Sequence, residues 1–206
     1  MNFNNKILDI IRKRGAKLVF VTKYFDSEFT KDVIEKFKDD EVFFGIGENR
    51  IEVIKEKNIL AKYVHFIGNI QSKKIQDIVK YCDFVHSFSK KEHFLLFDKY
   101  AEKENKKIQI FLQIYLDNEK KNGILENEVD FYLNEAKKYK NIEIVGISGI
   151  GKYEFSREEK LREIALLKSI QKNYPYLKIS FGTSVDWEIA LEQGIEILRI
   201  GKNLFL

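Results

Sequence analysis

The chain has 206 residues, of which 36 are basic and 32 acidic, giving a formal net charge of +4. This length suits one domain over residues 1–206, and charges of both signs are interspersed along it, which argues against a dedicated nucleic-acid binder. A single cysteine, Cys82, excludes an intramolecular disulfide and a cysteine-based zinc site, and its apolar surroundings predict a small core residue.

Residues 1–14 predict an amphipathic helix that ends at Gly15, because apolar residues recur there at helical spacing. The segment lacks the continuous apolar core and the cleavage site of a signal peptide. No apolar run elsewhere reaches membrane-spanning length. We therefore expect a cytoplasmic protein with no membrane partner.

Eight short apolar runs predict β-strands. They cover residues 18–21, 41–45, 63–67, 83–87, 108–116, 142–147, 177–181 and 195–200. Helical patterns separate them, beginning at residue 27 and covering 50–60, 71–81, 127–139 and 185–191, with capping-box spacing at Ser89-Lys-Lys-Glu92 and Ser156-Arg-Glu-Glu159.

Strands that alternate with helices are typical of parallel β/α architecture, and eight repeats favour a closed (β/α)8 TIM barrel. The alternative is an open, doubly wound sheet. That fold typically carries a Gly-x-Gly-x-x-Gly turn after its first strand, and here the position holds Lys23.

Polar residues collect where the predicted strands end, which is where the functional groups of a parallel barrel lie. Lys23, at the end of the first strand, has two interpretations: a charged residue that begins a loop, or an amine that forms a Schiff base with a carbonyl ligand when burial lowers its pKa. The other polar residues of this set are Glu48, Asn49, His65, Asn69, Gln71, Ser180, Thr183, Ser184, Arg199 and Lys202, together with Gly201.

The segment Ser180–Asp186 predicts a phosphate site. Gly182 would allow backbone to approach a ligand and Ser184 would cap the next helix, although a helix-capping serine also has a purely structural role. Loops after the seventh and eighth strands are the common phosphate position of this fold. A phosphate there and an amine across the barrel mouth together describe a phosphorylated carbonyl compound.

Six segments of the sequence resemble the YggS/PROSC family, the pyridoxal 5'-phosphate (PLP) homeostasis proteins, in the family's order along the chain. The most specific is His65-Phe-Ile-Gly-Asn-Ile-Gln-Ser-Lys73. The others are Val21-Thr-Lys23, Phe44-Gly-Ile-Gly-Glu-Asn49, Lys121-Asn-Gly123, Ser180-Phe-Gly-Thr-Ser-Val-Asp186 and Leu198-Arg-Ile-Gly201.

The resemblance implies a single barrel like the N-terminal domain of fold-type III PLP enzymes such as alanine racemase, without their second β domain. By the family pattern, Lys23 carries PLP as an internal aldimine. Ser184 and the backbone of Gly201 and Lys202 hold the phosphate. No metal ligand is implied.

The family pattern also places Arg199 at the pyridine nitrogen and Asn49 and His65 beside the ring. An arginine there keeps the ring nitrogen unprotonated, which makes the cofactor a weak electron sink. The resemblance therefore implies a monomeric, non-catalytic protein of vitamin B6 homeostasis, which buffers PLP or delivers it to PLP-dependent apo-enzymes.

The sequence departs from the family pattern at three places. Lys202 stands where the family usually has Ser or Thr, and Gly146-Ile-Ser148 replaces Gly-Leu-Met, which makes the pocket wall more polar. The segment after Gly201 is short, so we expect the N-terminal helix to supply the last helix of the barrel.

Two catalytic alternatives remain open. One is a fold-type III enzyme such as an amino-acid racemase, which needs a second acid/base, usually a tyrosine that this sequence does not place. The other is a class I aldolase-type barrel that uses Lys23 on a phosphorylated sugar. Lys121 is either a solvated loop residue or a transient second amine for the cofactor, and His86 and His93 are expected in surface or core roles.

Overall fold

Each strand of the sheet pairs in parallel with the next strand along the chain, and β8 pairs back with β1. The strands are β1 Lys17–Val21, β2 Phe43–Glu48, β3 Val64–Phe66, β4 Phe84–Phe88, β5 Ile108–Ile114, β6 Ile142–Gly149, β7 Lys178–Ser180 and β8 Ile197–Ile200. This computed structural model describes residues 3–116 and 122–205. The predicted (β/α)8 barrel is confirmed, since an open sheet would leave its two edge strands unpaired.

Helices alternate with the strands on the outside of the barrel, beginning with α1 before β1. They are α1 Asn5–Lys13, α2 Ser27–Phe37, α3 Ile51–Lys57, α4 Ile75–Tyr81, α5 His93–Lys103, α6 Val129–Ala136, α7 Arg157–Asn173 and α8 Trp187–Glu192. Short 3-10 turns, Ser72–Lys74 and Glu126–Glu128, precede α4 and α6, so both α-helices begin later than predicted. Within the described ranges, no helix is both long and apolar enough to span a membrane.

β2 extends to Glu48, three residues beyond its predicted end at Gly45. A glycine inside a strand either weakens the strand or marks a place where another group approaches it closely, and the glycines of β2 are of the second kind. A Cβ at Gly45 would lie 2.6 Å from the His65 ring, and a Cβ at Gly47 would lie 3.0 Å from the Val19 side chain. The strand continues because its glycines make room for neighbouring side chains.

The apolar core has two parts. A large shell between strands and helices includes Cys82, which is fully buried as predicted. A smaller cluster contains Val19, Phe84, Phe111 and Ile197, with Phe44 and Val145 packed against it. Because these residues come from β1, β2, β4, β5, β6 and β8 and pack against one another, this cluster lies in the lumen.

α1 closes the ring of helices, as expected. The backbone N–H of Asn4 donates to the carbonyl of Leu204 at 2.9 Å, and Phe3 forms a β-bridge with Phe205. The residues before α1 are thus joined to those that follow β8. The apolar stripe of α1 is buried against the barrel: Ile7, Leu8 and Ile11.

One predicted capping box forms and the other does not. Ser156 accepts the backbone N–H of Glu159, whose side chain accepts the N–H of Ser156, so this box begins α7. The prediction at Ser89 was wrong, because α5 begins only at His93 and its first turn is satisfied by backbone carbonyls of the preceding turn.

The two serines therefore make a matched test. Ser156→Ala should lower the free energy of unfolding by about 1 kcal/mol, the usual effect of losing an N-cap side chain. Ser89→Ala should leave it unchanged, since the Ser89 side chain caps no helix. Urea denaturation of both variants measures the difference, and equal losses would contradict the assignment of the two caps.

Candidate functional site

The ends of β1 and β8 and the loop after β7 meet at one side of the barrel mouth. A Cβ at Gly201 would lie 3.0 Å from the carbonyl oxygen of Val21, so these two strand ends are in contact. The backbone N–H of Gly201 donates to the hydroxyl of Ser184 at 3.3 Å. Lys23 lies two residues beyond Val21. The structure thus brings Lys23, Ser184 and Gly201 to neighbouring positions.

Lys23 is half-buried in the turn that follows β1. Its Nζ atom lies 4.8 Å from the centre of the Tyr24 ring. The part of the chain that the structure describes provides it with no hydrogen bond or ion pair. Its amine is therefore partly desolvated and not neutralised by any described carboxylate.

A buried ion pair fixes the residue that precedes Lys23. The ammonium of Lys57 donates to the carboxylate of Glu48 at 2.5 Å and to the carbonyl of Thr22 at 2.8 Å, and the Thr22 hydroxyl donates to the same carboxylate oxygen at 2.7 Å. Since Lys57 belongs to α3, this cluster lies between the barrel wall and the helix layer. Glu48, predicted with the mouth residues, instead anchors the end of β1.

Arg199 lies in β8 and is 6% exposed. Its Nη1 donates to the carbonyl and the hydroxyl of Ser180, at 2.7 and 2.6 Å, and its Nη2 donates to the carbonyl of Gly149 at 2.7 Å. Burial lowers the pKa of Arg199 to about 10, with Asp186 acting in the opposite direction. The guanidinium therefore stays charged at neutral pH, and its described contacts use three of its five N–H donors.

A chain of hydrogen bonds continues from Ser180 across the lumen. The Ser180 hydroxyl lies 3.0 Å from Nδ1 of His86, Nε2 of His86 lies 2.8 Å from Nδ1 of His65, and Nε2 of His65 lies 3.0 Å from the carbonyl oxygen of Phe44.

The two ends of this chain determine its direction. A carbonyl only accepts, so His65 donates through Nε2 to Phe44 and accepts at Nδ1 from His86. A guanidinium only donates, so Ser180 accepts from Arg199 and donates its hydroxyl proton to His86. Every donor points the same way, and each imidazole carries one proton.

Burial keeps both imidazoles neutral. His65 stacks on Phe84 and His86 on Phe111, each with ring centres 4.2 Å apart. Burial lowers the pKa of His65 to about 3, although the hydrogen bond with Phe44 opposes this, and burial with the nearby His65 and Arg199 holds the pKa of His86 well below 6.5. Protonation of either imidazole would place an N–H donor where this chain of hydrogen bonds requires an acceptor nitrogen.

The remaining predicted site residues differ in how deeply they are buried. Asn49 and Lys202 are exposed at the rim, just after β2 and β8. His65 is fully buried, and it is connected to Arg199 through His86 and Ser180. Lys121 lies outside the described residues.

One expectation for the loop after β7 was wrong, and one stays a prediction. Ser184 does not cap α8, which begins at Trp187 with Asp186 in the cap position. Gly182 has a φ of +96°, and its Cβ would lie 2.8 Å from the side chains of Ala190 and Leu198. Glycine is thus required there by packing against α8 and β8, and the expected approach of a ligand to its backbone stays a prediction.

Sequence reasoning missed three residues that organise the site: His86, Lys57 and Lys160. His86 was expected in a surface or core role, and the core role is confirmed. Its partners are 21 and 94 residues away, so no local pattern marks them. Lys57 and Lys160 are 2% and 0% exposed, but in sequence they look like the solvated lysines around them.

Comparisons with known proteins agree with this architecture. The family model described as alanine racemase, N-terminal domain, matches residues 10–205. The chain is 30% identical to the pyridoxal phosphate homeostasis protein of Synechocystis sp., over 93% of this chain and 91% of that protein. It is 29% identical to the protein of the same name from Aquifex aeolicus, over 77% and 75%.

Solved structures show the same fold. PipY of Synechococcus elongatus PCC7942 without PLP has a TM-score of 0.81 at 21% identity, covering 98% of this chain and 99% of that chain. PipY has also been solved with PLP bound, with a TM-score of 0.79 to this chain at 20% identity and the same coverage. Alanine racemase of Clostridium difficile 630 has a TM-score of 0.72 at 15% identity, and the match covers 98% of this chain but 58% of the racemase.

The neutral imidazole pair predicts a pH dependence of stability. Between the ordinary pKa of 6.5 and the folded value of about 3 for His65, the unfolded chain binds more protons than the folded chain. The free energy of unfolding should therefore fall as the pH drops below about 6.5, by up to about 1.4 kcal/mol per pH unit for each imidazole. Urea denaturation from pH 7.5 to 5 measures the slope.

Nitrogen-15 NMR separates this effect from that of other groups. It should show His65 with its proton on Nε2 and neither lumen imidazole titrating near pH 6.5. An ordinary titration of His65 or His86 would contradict the one-way chain.

Proposed function

Because the chain belongs to the pyridoxal phosphate homeostasis proteins, within the alanine racemase N-terminal domain family, we propose that it binds PLP at the barrel mouth and serves PLP homeostasis. When bound, PLP supplies an aldehyde that condenses with a primary amine. The observation that carries the proposal is the amine of Lys23, which has no described ion-pair partner and follows the strand end that contacts Gly201, the partner of the Ser184 hydroxyl.

The residues present fit the group. The backbone N–H of Gly201 lies 3.3 Å from the hydroxyl of Ser184. Gly201 has no side chain to block a ligand, so these two neighbouring donors suit the oxygens of a phosphate. We propose that they bind the phosphate together with the backbone N–H of Lys202, whose charge adds to the attraction. Lys23 supplies the amine that forms the Schiff base.

We assign Arg199 to the pyridine nitrogen, as a donor that stays charged. His65 supports it from behind through His86 and Ser180, and Asn49 lies at the rim beside the ring. A ring nitrogen that accepts from a cation remains unprotonated, so the site stabilises negative charge on the cofactor poorly. This favours storage of the cofactor over catalysis.

We further propose that the whole chain, residues 1–206, is one domain, that it acts in the cytoplasm as a monomer, and that PLP-dependent apo-enzymes receive its cofactor. The relatives are named for homeostasis and not for a reaction, which supports a non-catalytic role. Racemase activity would need a second acid/base opposite Lys23. In the part of the chain that the structure describes, no tyrosine hydroxyl is hydrogen-bonded to a lumen side chain, and Tyr24, whose ring lies 4.8 Å from the Lys23 amine, is 77% exposed.

Replacing the amine tests the assignment of Lys23. Wild-type protein incubated with PLP should develop visible absorbance, and Lys23→Ala should lose most of it because it lacks the amine that we assign to the Schiff base. Lys62→Ala is a matched control, since Lys62 also lies 4.8 Å from the ring of the tyrosine that follows it, but before β3. Borohydride trapping and peptide mass should find the adduct on Lys23. A wild type that takes up no PLP would refute the function.

Cofactor transfer distinguishes a carrier from an enzyme. Loaded protein incubated with L-alanine and other L-amino acids should produce no D-isomer or keto acid at ordinary enzyme rates, of order 1 s⁻¹. An apo-enzyme should be activated faster by the loaded protein than by equal free PLP. Sustained turnover would make the protein a catalyst, and transfer no faster than from free PLP would remove the delivery role.

A further inference from the structure

Lys160 is a fully buried cation held between two carboxylates. Its Nζ lies 2.6 Å from Oε2 of Glu163 and 3.0 Å from Oδ2 of Asp186. The same atom lies 4.3 Å from the centre of the Phe155 ring and 5.3 Å from that of Phe181. An ammonium in these surroundings is stable only while its carboxylate partners remain in place.

Asp186 uses its other oxygen to close the loop that contains Ser184. Its Oδ1 accepts the backbone N–H of Thr183 at 2.6 Å and the Thr183 hydroxyl at 2.8 Å. On the opposite side of the loop, Asn203 donates to the carbonyl of Ser184 at 2.6 Å. The position of Ser184 therefore depends on Asp186, and that of Asp186 depends on Lys160.

Charge gives Lys160 a second effect. Asp186 is 4% exposed and stands two residues from Ser184, so its negative charge lies close to the proposed phosphate position. Without Lys160 that carboxylate would lose its ion-pair partner, keep only the Thr183 hydrogen bonds and the weaker field of Arg199, and repel a phosphate. Glu163 lies farther along α7. Its other oxygen, Oε1, accepts the backbone N–H of Lys152 at 3.0 Å, away from the Ser184 loop.

We propose that Lys160 is a positioning residue for phosphate recognition, which orients Asp186 and neutralises it so that the Ser184 loop accepts a dianion. This inference rests on the proposed function. It assigns phosphate selectivity to a side chain that touches no ligand and lies behind the loop.

Two double variants isolate this role at equal net charge. Lys160→Met/Glu163→Gln leaves Asp186 unpaired beside the loop, whereas Lys160→Met/Asp186→Asn leaves only Glu163 charged and keeps an oxygen at position 186 for Thr183. Methionine preserves the apolar stem between the two phenylalanine rings in both. The variants differ only in which carboxylate remains.

The measurement is the ratio of the dissociation constants of pyridoxal and PLP, with Ser184→Ala as the reference for a lost phosphate contact. Lys160→Met/Glu163→Gln should lower this ratio by roughly tenfold, the effect of one charge-assisted hydrogen bond. Lys160→Met/Asp186→Asn should stay within about twofold of the wild type, a small difference on the same scale. Circular dichroism checks that both variants are folded.

The outcomes separate the two proposals. A wild type that binds pyridoxal as tightly as PLP would refute the phosphate site itself. A selective wild type with equal losses in both double variants would show that Lys160 only stabilises the fold, and retained selectivity in both would show that it has no role in phosphate recognition. The single variant Lys160→Met leaves both Glu163 and Asp186 without their cation and could fail to fold. The two double variants still decide the matter, because each also neutralises one of these two carboxylates.

Discussion

The pairing of polar groups inside the barrel lumen constrains the rest of the structure. A lumen closed by eight strands excludes water, so each donor and acceptor that points into it needs a partner. The chain from Arg199 through Ser180, His86 and His65 to the carbonyl of Phe44 meets this requirement with four side chains from four strands. Its order makes the orientation of Arg199 depend on residues on the far side of the barrel.

The loops at the mouth are held by a different arrangement, in which buried lysines lie outside the barrel wall. Lys57 holds the carbonyl before Lys23, and Lys160 holds Asp186 behind Ser184. Both come from helices, so the helix layer fixes the loops that carry the candidate amine and the candidate phosphate donor. Buried ion pairs contribute little net stability compared with apolar packing, but they define one geometry well. Precise loop positions are what a small-molecule site requires.

The architecture was predictable because eight apolar runs and seven connections of crossover length permit few other folds. The residues at the strand ends were predictable for the same reason, since parallel strands place their carboxyl ends together. Contacts between distant segments were not. Whether a serine caps a helix depends on where the preceding turn ends, which separates Ser156 from Ser89. The partners of His86, Lys57 and Lys160 are set by the closed sheet, and their residue types alone carry no sign of burial.

The pairing of β1 with β8 also sets an order of events during folding. Lys17 and Ile197 are neighbours in the sheet but are separated by most of the sequence. During synthesis, one edge of β1 therefore stays open until the ribosome has made β8. Until then, an apolar strand with free backbone groups is available to other chains. The burial of α1, which packs beside β1 and is joined to the residues after β8, likewise requires that β8 be in place.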